Sequence, residues 1–188
     1  PLLTTAKHFP GHGDTAVDSH LQTPTLEHSR DRFDRIELPP FKAAIQAGVD
    51  VVMSAHVFAP NLDAHTISTL SQSTLTGLLR EELGFVGLIV TDALIMAGVS
   101  DRYSPEEVAV EAILAGADIL LMPVDAERTI TAILEAVESG RITRDRLKLS
   151  LTKIWKAKAK ILNSQSNLNL DLKSIATSDH LKIAEEIT

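Results

Sequence analysis

The sequence predicts an α/β fold whose parallel sheet is laid down in four βα units, and three observations lead there. Short apolar runs alternate with longer amphipathic stretches. Most of the runs are near-continuously apolar, as expected of strands covered on both faces. Three amphipathic stretches end in a glycine just before the next apolar run, at Gln46-Ala47-Gly48-Val49, Glu82-Leu83-Gly84-Phe85 and Leu114-Ala115-Gly116-Ala117, which is a helix stop feeding a strand. A (β/α)8 TIM barrel needs eight such units and about 250 residues. Four units in 188 residues would be half of one.

In chain order, Leu2 to Ala6 reads as a strand already under way at the first residues, with Lys7 and His8 at its very end. Helices are expected at Pro39 to Ala47, Ser73 to Leu83, Pro105 to Ala115, Ala126 to Glu138 and Arg144 to Leu162. Ser104-Pro105 and Asp125 are suitable starts, because a short polar side chain caps free N–H groups and proline suits the first helical position. The remaining strands are Val49 to Ser54, Leu88 to Thr91 and Asp118 to Met122. Trp155, alone on the last long helix, reads as core. Beyond Leu162 the run Asn163-Ser164-Gln165-Ser166-Asn167-Leu168-Asn169 reads as a polar linker, and Ser178 to Ile187 as one more amphipathic stretch. Both ends of the chain read as cut.

Composition narrows the function. With 18 basic against 25 acidic residues, a net charge of −7 and no cluster of lysine or arginine, nothing invites nucleic acid. The chain has no cysteine, hence no disulfide and no thiolate metal site. No apolar run is long enough to span a bilayer and no export signal opens the chain, so no membrane partner is expected. As given it reads as cytoplasmic, with export of a parent protein left open.

Active sites of parallel α/β folds lie past the carboxyl ends of the strands. Asp92 follows the run Gly87-Leu88-Ile89-Val90-Thr91, which would hold a carboxylate at the rim as a nucleophile or charge stabiliser, or else as the cap of a following helix. Asp18 and His20 stand two apart in a loop-like segment. An aspartate there can steady an imidazolium and make the histidine an acid and base, unless the two never touch. Lys7 and His8 are placed to donate hydrogen bonds to a neutral polar ligand. His56, at another strand end, is either a ligand contact or a buried brace. His8, His12 and His20 do not match a familiar metal-ligand spacing, and Lys7 beside them disfavours a cation.

The run Lys7-His8-Phe9-Pro10-Gly11-His12-Gly13-Asp14-Thr15, followed by Asp18-Ser19-His20, closely resembles the signature loop of family 3 glycoside hydrolases of the β-N-acetylglucosaminidase type. Met53-Ser54-Ala55-His56-Val57, Leu79-Arg80-Glu81-Glu82-Leu83-Gly84-Phe85 and Val90-Thr91-Asp92-Ala93-Leu94-Ile95-Met96 resemble later pieces of that family in the same order, the last being its nucleophile motif. The resemblance implies a retaining glycosidase that releases terminal N-acetylglucosamine from peptidoglycan fragments or chitin-like saccharides without a cofactor or metal. It implies that Asp92 forms a covalent glycosyl intermediate, that His20 with Asp18 replaces the usual second carboxylate as acid/base, and that Lys7 and His8 bind sugar hydroxyls, with His56 grouped beside them as a substrate contact. Ala93 stands where part of the family has a second acidic residue.

It further implies that residues 1–162 are the C-terminal half of the catalytic barrel and 163–188 a linker and the start of a following domain, in a fragment of a two-domain parent. Half a barrel would leave open sheet edges that invite self-association, and the isolated chain is then expected to hydrolyse weakly or not at all. A family 3 β-glucosidase, a glycoside phosphorylase and an inactive structural fragment are the alternatives.

Overall fold

The computed structural model describes residues 2–19, 21–100, 102–163 and 177–187. The chain runs β1 (Thr5–Phe9), α1 (Arg30–Arg32), a π-helical turn (Phe33–Glu37), α2 (Leu38–Gln46), β2 (Val51–Ser54), a π-helical segment (Ser73–Glu82), β3 (Leu88–Thr91), α3 (Ala97–Ser100), α4 (Pro105–Ala115), α5 (Ala126–Glu138), α6 (Arg144–Asn163) and α7 (Ser178–Ile187).

The strands pair in parallel in the order β1-β2-β3, with Ala6 opposite Val52 and Met53 opposite Val90. Successive side chains of a strand point to opposite faces, and here both faces are covered. Val52 and Ile89 face one core with Phe9, Phe41, Leu75 and Leu79, while Val51, Leu88 and Val90 pack with Ile154 and Ala157 of α6. α4 begins as its sequence suggests: Ser104 accepts from the Glu107 N–H, Glu107 reaches back to the Ser104 N–H, and Pro105 follows the cap.

Four βα units and half a barrel are not what forms. Among the described residues the sheet has three strands and stays open and uncurled. The fourth predicted strand, Asp118 to Met122, makes one isolated bridge, Ile119 to Val90. Side chains intercept the donors that a regular ladder would use: Ile89 N–H goes to Asp118 Oδ2 at 3.0 Å and Leu121 N–H to Thr91 Oγ1 at 3.0 Å. Met122 then turns to φ 45°, and Pro123 has no N–H to continue the pairing.

Two smaller expectations are also corrected. β1 is Thr5–Phe9 rather than Leu2 to Ala6, because Leu2 is 90% exposed and the run is anchored by the fully buried Phe9. Lys7 and His8 are therefore part of the strand. Trp155 is not core: it is 64% exposed, with Lys158 Nζ 5.0 Å from its ring centroid. Residues 164–176, most of the predicted linker, lie outside the described residues.

Away from the strand ends, Asp118 gathers a buried polar cluster. Its fully buried carboxylate accepts from Arg80 Nη2 and Ser150 Oγ, each at 2.6 Å, and from Ile89 N at 3.0 Å. Lys153 Nζ lies 3.2 Å and Arg146 Nη1 3.7 Å from Oδ1. One carboxylate thus ties the π-helical segment, β3 and α6 together.

Candidate functional site

β3 delivers Asp92 to the carboxyl end of the sheet, where its backbone N–H is fixed by the Ser54 carbonyl at 3.2 Å. Oδ1 accepts from the next N–H, that of Ala93, at 2.8 Å, and Oδ2 faces His8 Nε2 at 3.5 Å. Both side chains are partly exposed, at 19% for Asp92 and 28% for His8. Beside it, β1 contributes Lys7 and His8, and the long loop after Phe9 folds back over the same end. That loop is tied down by Thr23 Oγ1 donating to the Gly98 carbonyl of α3 at 2.5 Å and by Leu26 N–H donating to Phe58 O at 2.8 Å. The turn at Asp18 is closed by Leu21 and Gln22 N–H groups donating to its carbonyl.

The result is an open cleft of about 520 Å³ lined by Lys7, His8, His12, Gly13, Asp18, Ser19 and Asp92. Four predicted site residues, Lys7, His8, Asp18 and Asp92, share it. His20 lies outside the described residues. An apolar cavity of about 140 Å³ lies elsewhere, between Leu94, Tyr103, Val108 and Pro123, lined by no carboxylate, imidazole or amine.

His56 is placed differently. Its ring is 1% exposed, Nδ1 pairs with the Thr69 hydroxyl at 2.8 Å, and Nε2 donates to the Ala93 carbonyl at 3.2 Å. It is not among the cleft-lining residues; it grips the backbone directly after Asp92 from inside. Burial pushes its pKa below the ordinary value, opposed in part by the Ala93 carbonyl and the charge of Asp92. The unfolded chain therefore takes up a proton at His56 more readily than the folded one. Its contribution to stability is full above the unfolded value of about 6.5 and is lost as pH falls toward the depressed folded value. Urea midpoints at pH 7.5 and 5.5 are expected to fall further for the native chain than for His56→Gln; equal falls would refute this.

Sequence reading did not single out Thr69, Arg32 or Glu37, which brace the site from other elements. The one signal available was a charged residue, Glu37, set against the apolar run Leu38-Pro39-Pro40-Phe41.

A parallel α/β chain that collects two carboxylates, two imidazoles and an amine at the carboxyl end of its sheet has the parts of a hydrolytic or group-transfer site. The family model described as the glycosyl hydrolase family 3 N terminal domain matches residues 1–157. The chain belongs to glycosyl hydrolase family 3, and its relatives include proteins of the β-N-acetylglucosaminidase and hexosaminidase type. It is 34% identical over 207 residues to beta-hexosaminidase A of Pseudoalteromonas piscicida, covering 99% of this chain and 35% of that protein. A family 3 beta-N-acetylglucosaminidase from Paenibacillus sp. str. FPU-7 superposes with a TM-score of 0.87 at 41% identity, over 99% of this chain and 36% of that one. A beta-glucoside phosphorylase does so with a TM-score of 0.88 at 31% identity, again over 99% and 36%. The chain spans about a third of the length of the curated relatives it matches.

Proposed function

We propose that this chain carries the nucleophile and part of the sugar grip of a retaining β-N-acetylglucosaminidase acting on peptidoglycan fragments or chitin-like saccharides. The observation that carries the reading is the shared cleft of Lys7, His8, Asp18 and Asp92. Asp92 attacks the anomeric carbon as the glycosidic bond breaks, giving a glycosyl ester; water then attacks the same carbon and restores the carboxylate. His20, its imidazolium steadied by Asp18, gives a proton to the leaving oxygen and takes one from the attacking water. Lys7 and His8 donate to hydroxyls of the terminal sugar. His56 acts as a positioning residue rather than a substrate contact, holding the Ala93 carbonyl from inside and so the placement of Asp92.

The likeness to a beta-glucoside phosphorylase favours a second reading, in which phosphate replaces water as the acceptor. Cleavage of 4-nitrophenyl N-acetyl-β-glucosaminide, with and without phosphate, decides between them. Free N-acetylglucosamine as product at all phosphate concentrations is expected. A sugar 1-phosphate would replace hydrolase by phosphorylase, and faster cleavage of the corresponding glucoside than of the N-acetylglucosaminide would overturn the substrate assignment.

A further inference from the structure

Arg32 and Glu37 stand five residues apart, a separation that places two side chains on different faces of an α-helix. Between them the helix switches to a π-helical turn, Phe33–Glu37, whose bonds run from residue i to i+5, as Leu38 N–H to Phe33 O shows. The switch brings the two together: Arg32 Nε and Nη2 lie 3.2 and 3.1 Å from Glu37 Oε1.

Both partners also touch the loop that lines the cleft. Arg32 Nη2 reaches Asp14 Oδ2 at 3.0 Å. Gly11, at φ 129°, lies so close that a Cβ on it would sit 2.8 Å from Glu37 Cβ and Cγ. A side chain there would be both strained and obstructed. The loop is thus held at Gly11 by the stem of Glu37 and at Asp14 by the guanidinium. Between those points sits His12, whose ring stands edge-on to that of His8 at 6.1 Å, and His8 faces Asp92. His12 Nε2 and Glu37 Oε2 are buried without hydrogen-bond partners, and both residues line a cavity of about 350 Å³ behind the loop.

We propose that Arg32 and Glu37 are positioning residues: a π-turn clamp that fixes residues 11–14 and, through His12 and His8, the geometry facing Asp92. The charge pair costs desolvation, since the Glu37 side chain is only 6% exposed, and a carboxylate buried this way is retained where its placement matters more than its energy. The inference rests on the cleft being the reactive site proposed above.

The test uses the 188-residue chain labelled with nitrogen-15 in histidine, comparing Glu37→Gln, Arg32→Lys and Asp14→Asn with the native chain. The ring signals of His8 and His12 are expected to move by more than a linewidth in all three variants, least in Arg32→Lys, while those of the exposed His65 and His180 stay in place. A purely structural role would lower the urea midpoint and leave the His8 and His12 signals where they were. If Glu37→Gln does not fold, Asp14→Asn still cuts the exposed end of the clamp, Asp14 being 64% exposed. Unmoved His8 and His12 signals in folded Asp14→Asn and Arg32→Lys would overturn the proposal. These signals report on the loop whether or not the chain cleaves a glycoside, so failure of the clamp and failure of the enzymatic reading are separately visible.

Discussion

Replacing Asp118 with alanine is expected to cost about 3–5 kcal/mol, the usual penalty for removing one partner of a buried ion cluster. Arg80, Lys153 and Arg146 would be left facing one another around an empty carboxylate position, with side chains only 15%, 26% and 20% exposed. The Ile89 N–H and Ser150 hydroxyl would lose their acceptor as well. Burial by itself would push the Asp118 carboxyl up, but hydrogen bonds from Ser150 and Ile89 and the charges of Arg80 and Lys153 overcome it and hold the group below the usual carboxylate range. The stabilisation is therefore fully present above the unfolded value of about 3.9 and is lost as pH falls through the lower folded value. Urea unfolding at pH 7, followed by circular dichroism, gives the first result, and a domain holding about 5–15 kcal/mol in total has little to spare. A loss under about 1 kcal/mol would show that the cluster merely breaks even.

Asp92→Ala is expected to lower any turnover of an N-acetylglucosaminide by on the order of 10⁴- to 10⁶-fold, the range that removal of a single catalytic residue spans elsewhere. The geometry singles out this carboxylate: the backbone is pinned to β2, Oδ1 is held by the Ala93 N–H, and Oδ2 is left toward the cleft opposite His8. Asp92→Asn keeps the shape and removes the charge, so an equal loss would assign the effect to nucleophilicity. A fluorinated glycoside that forms the ester but releases it slowly should add its mass to the peptide containing Asp92. Labelling at another residue, or a variant retaining a tenth of native activity, would remove Asp92 from the proposed role.

Much of this was legible because it depends on local sequence. β3 spans Leu88–Thr91 as its unbroken apolar run requires, and Gly48 and Gly84 stop helical segments at positive φ, 82° and 70°, where other residues are strained. Asp92 follows from the same reading, since a strand covered on both faces must surface at its end. The fourth strand was misread because the run Asp118 to Met122 has the composition of a strand, whereas its pairing is decided by the side chains of Asp118 and Thr91, which lie 27 positions apart in the sequence. The Arg32–Glu37 clamp was invisible for a related reason: pairing at a spacing of five requires a π turn, and no residue pattern announced one.

The exposure of Trp155 has a practical consequence for all the unfolding measurements above. It is the sole tryptophan of the chain and is already 64% in solvent in the folded state, beside a lysine ammonium. Its fluorescence emission is set by water before any denaturant is added, so intrinsic fluorescence is a nearly silent reporter of folding here. The same property makes it a clean optical tag for anything that comes to rest on the outer face of α6.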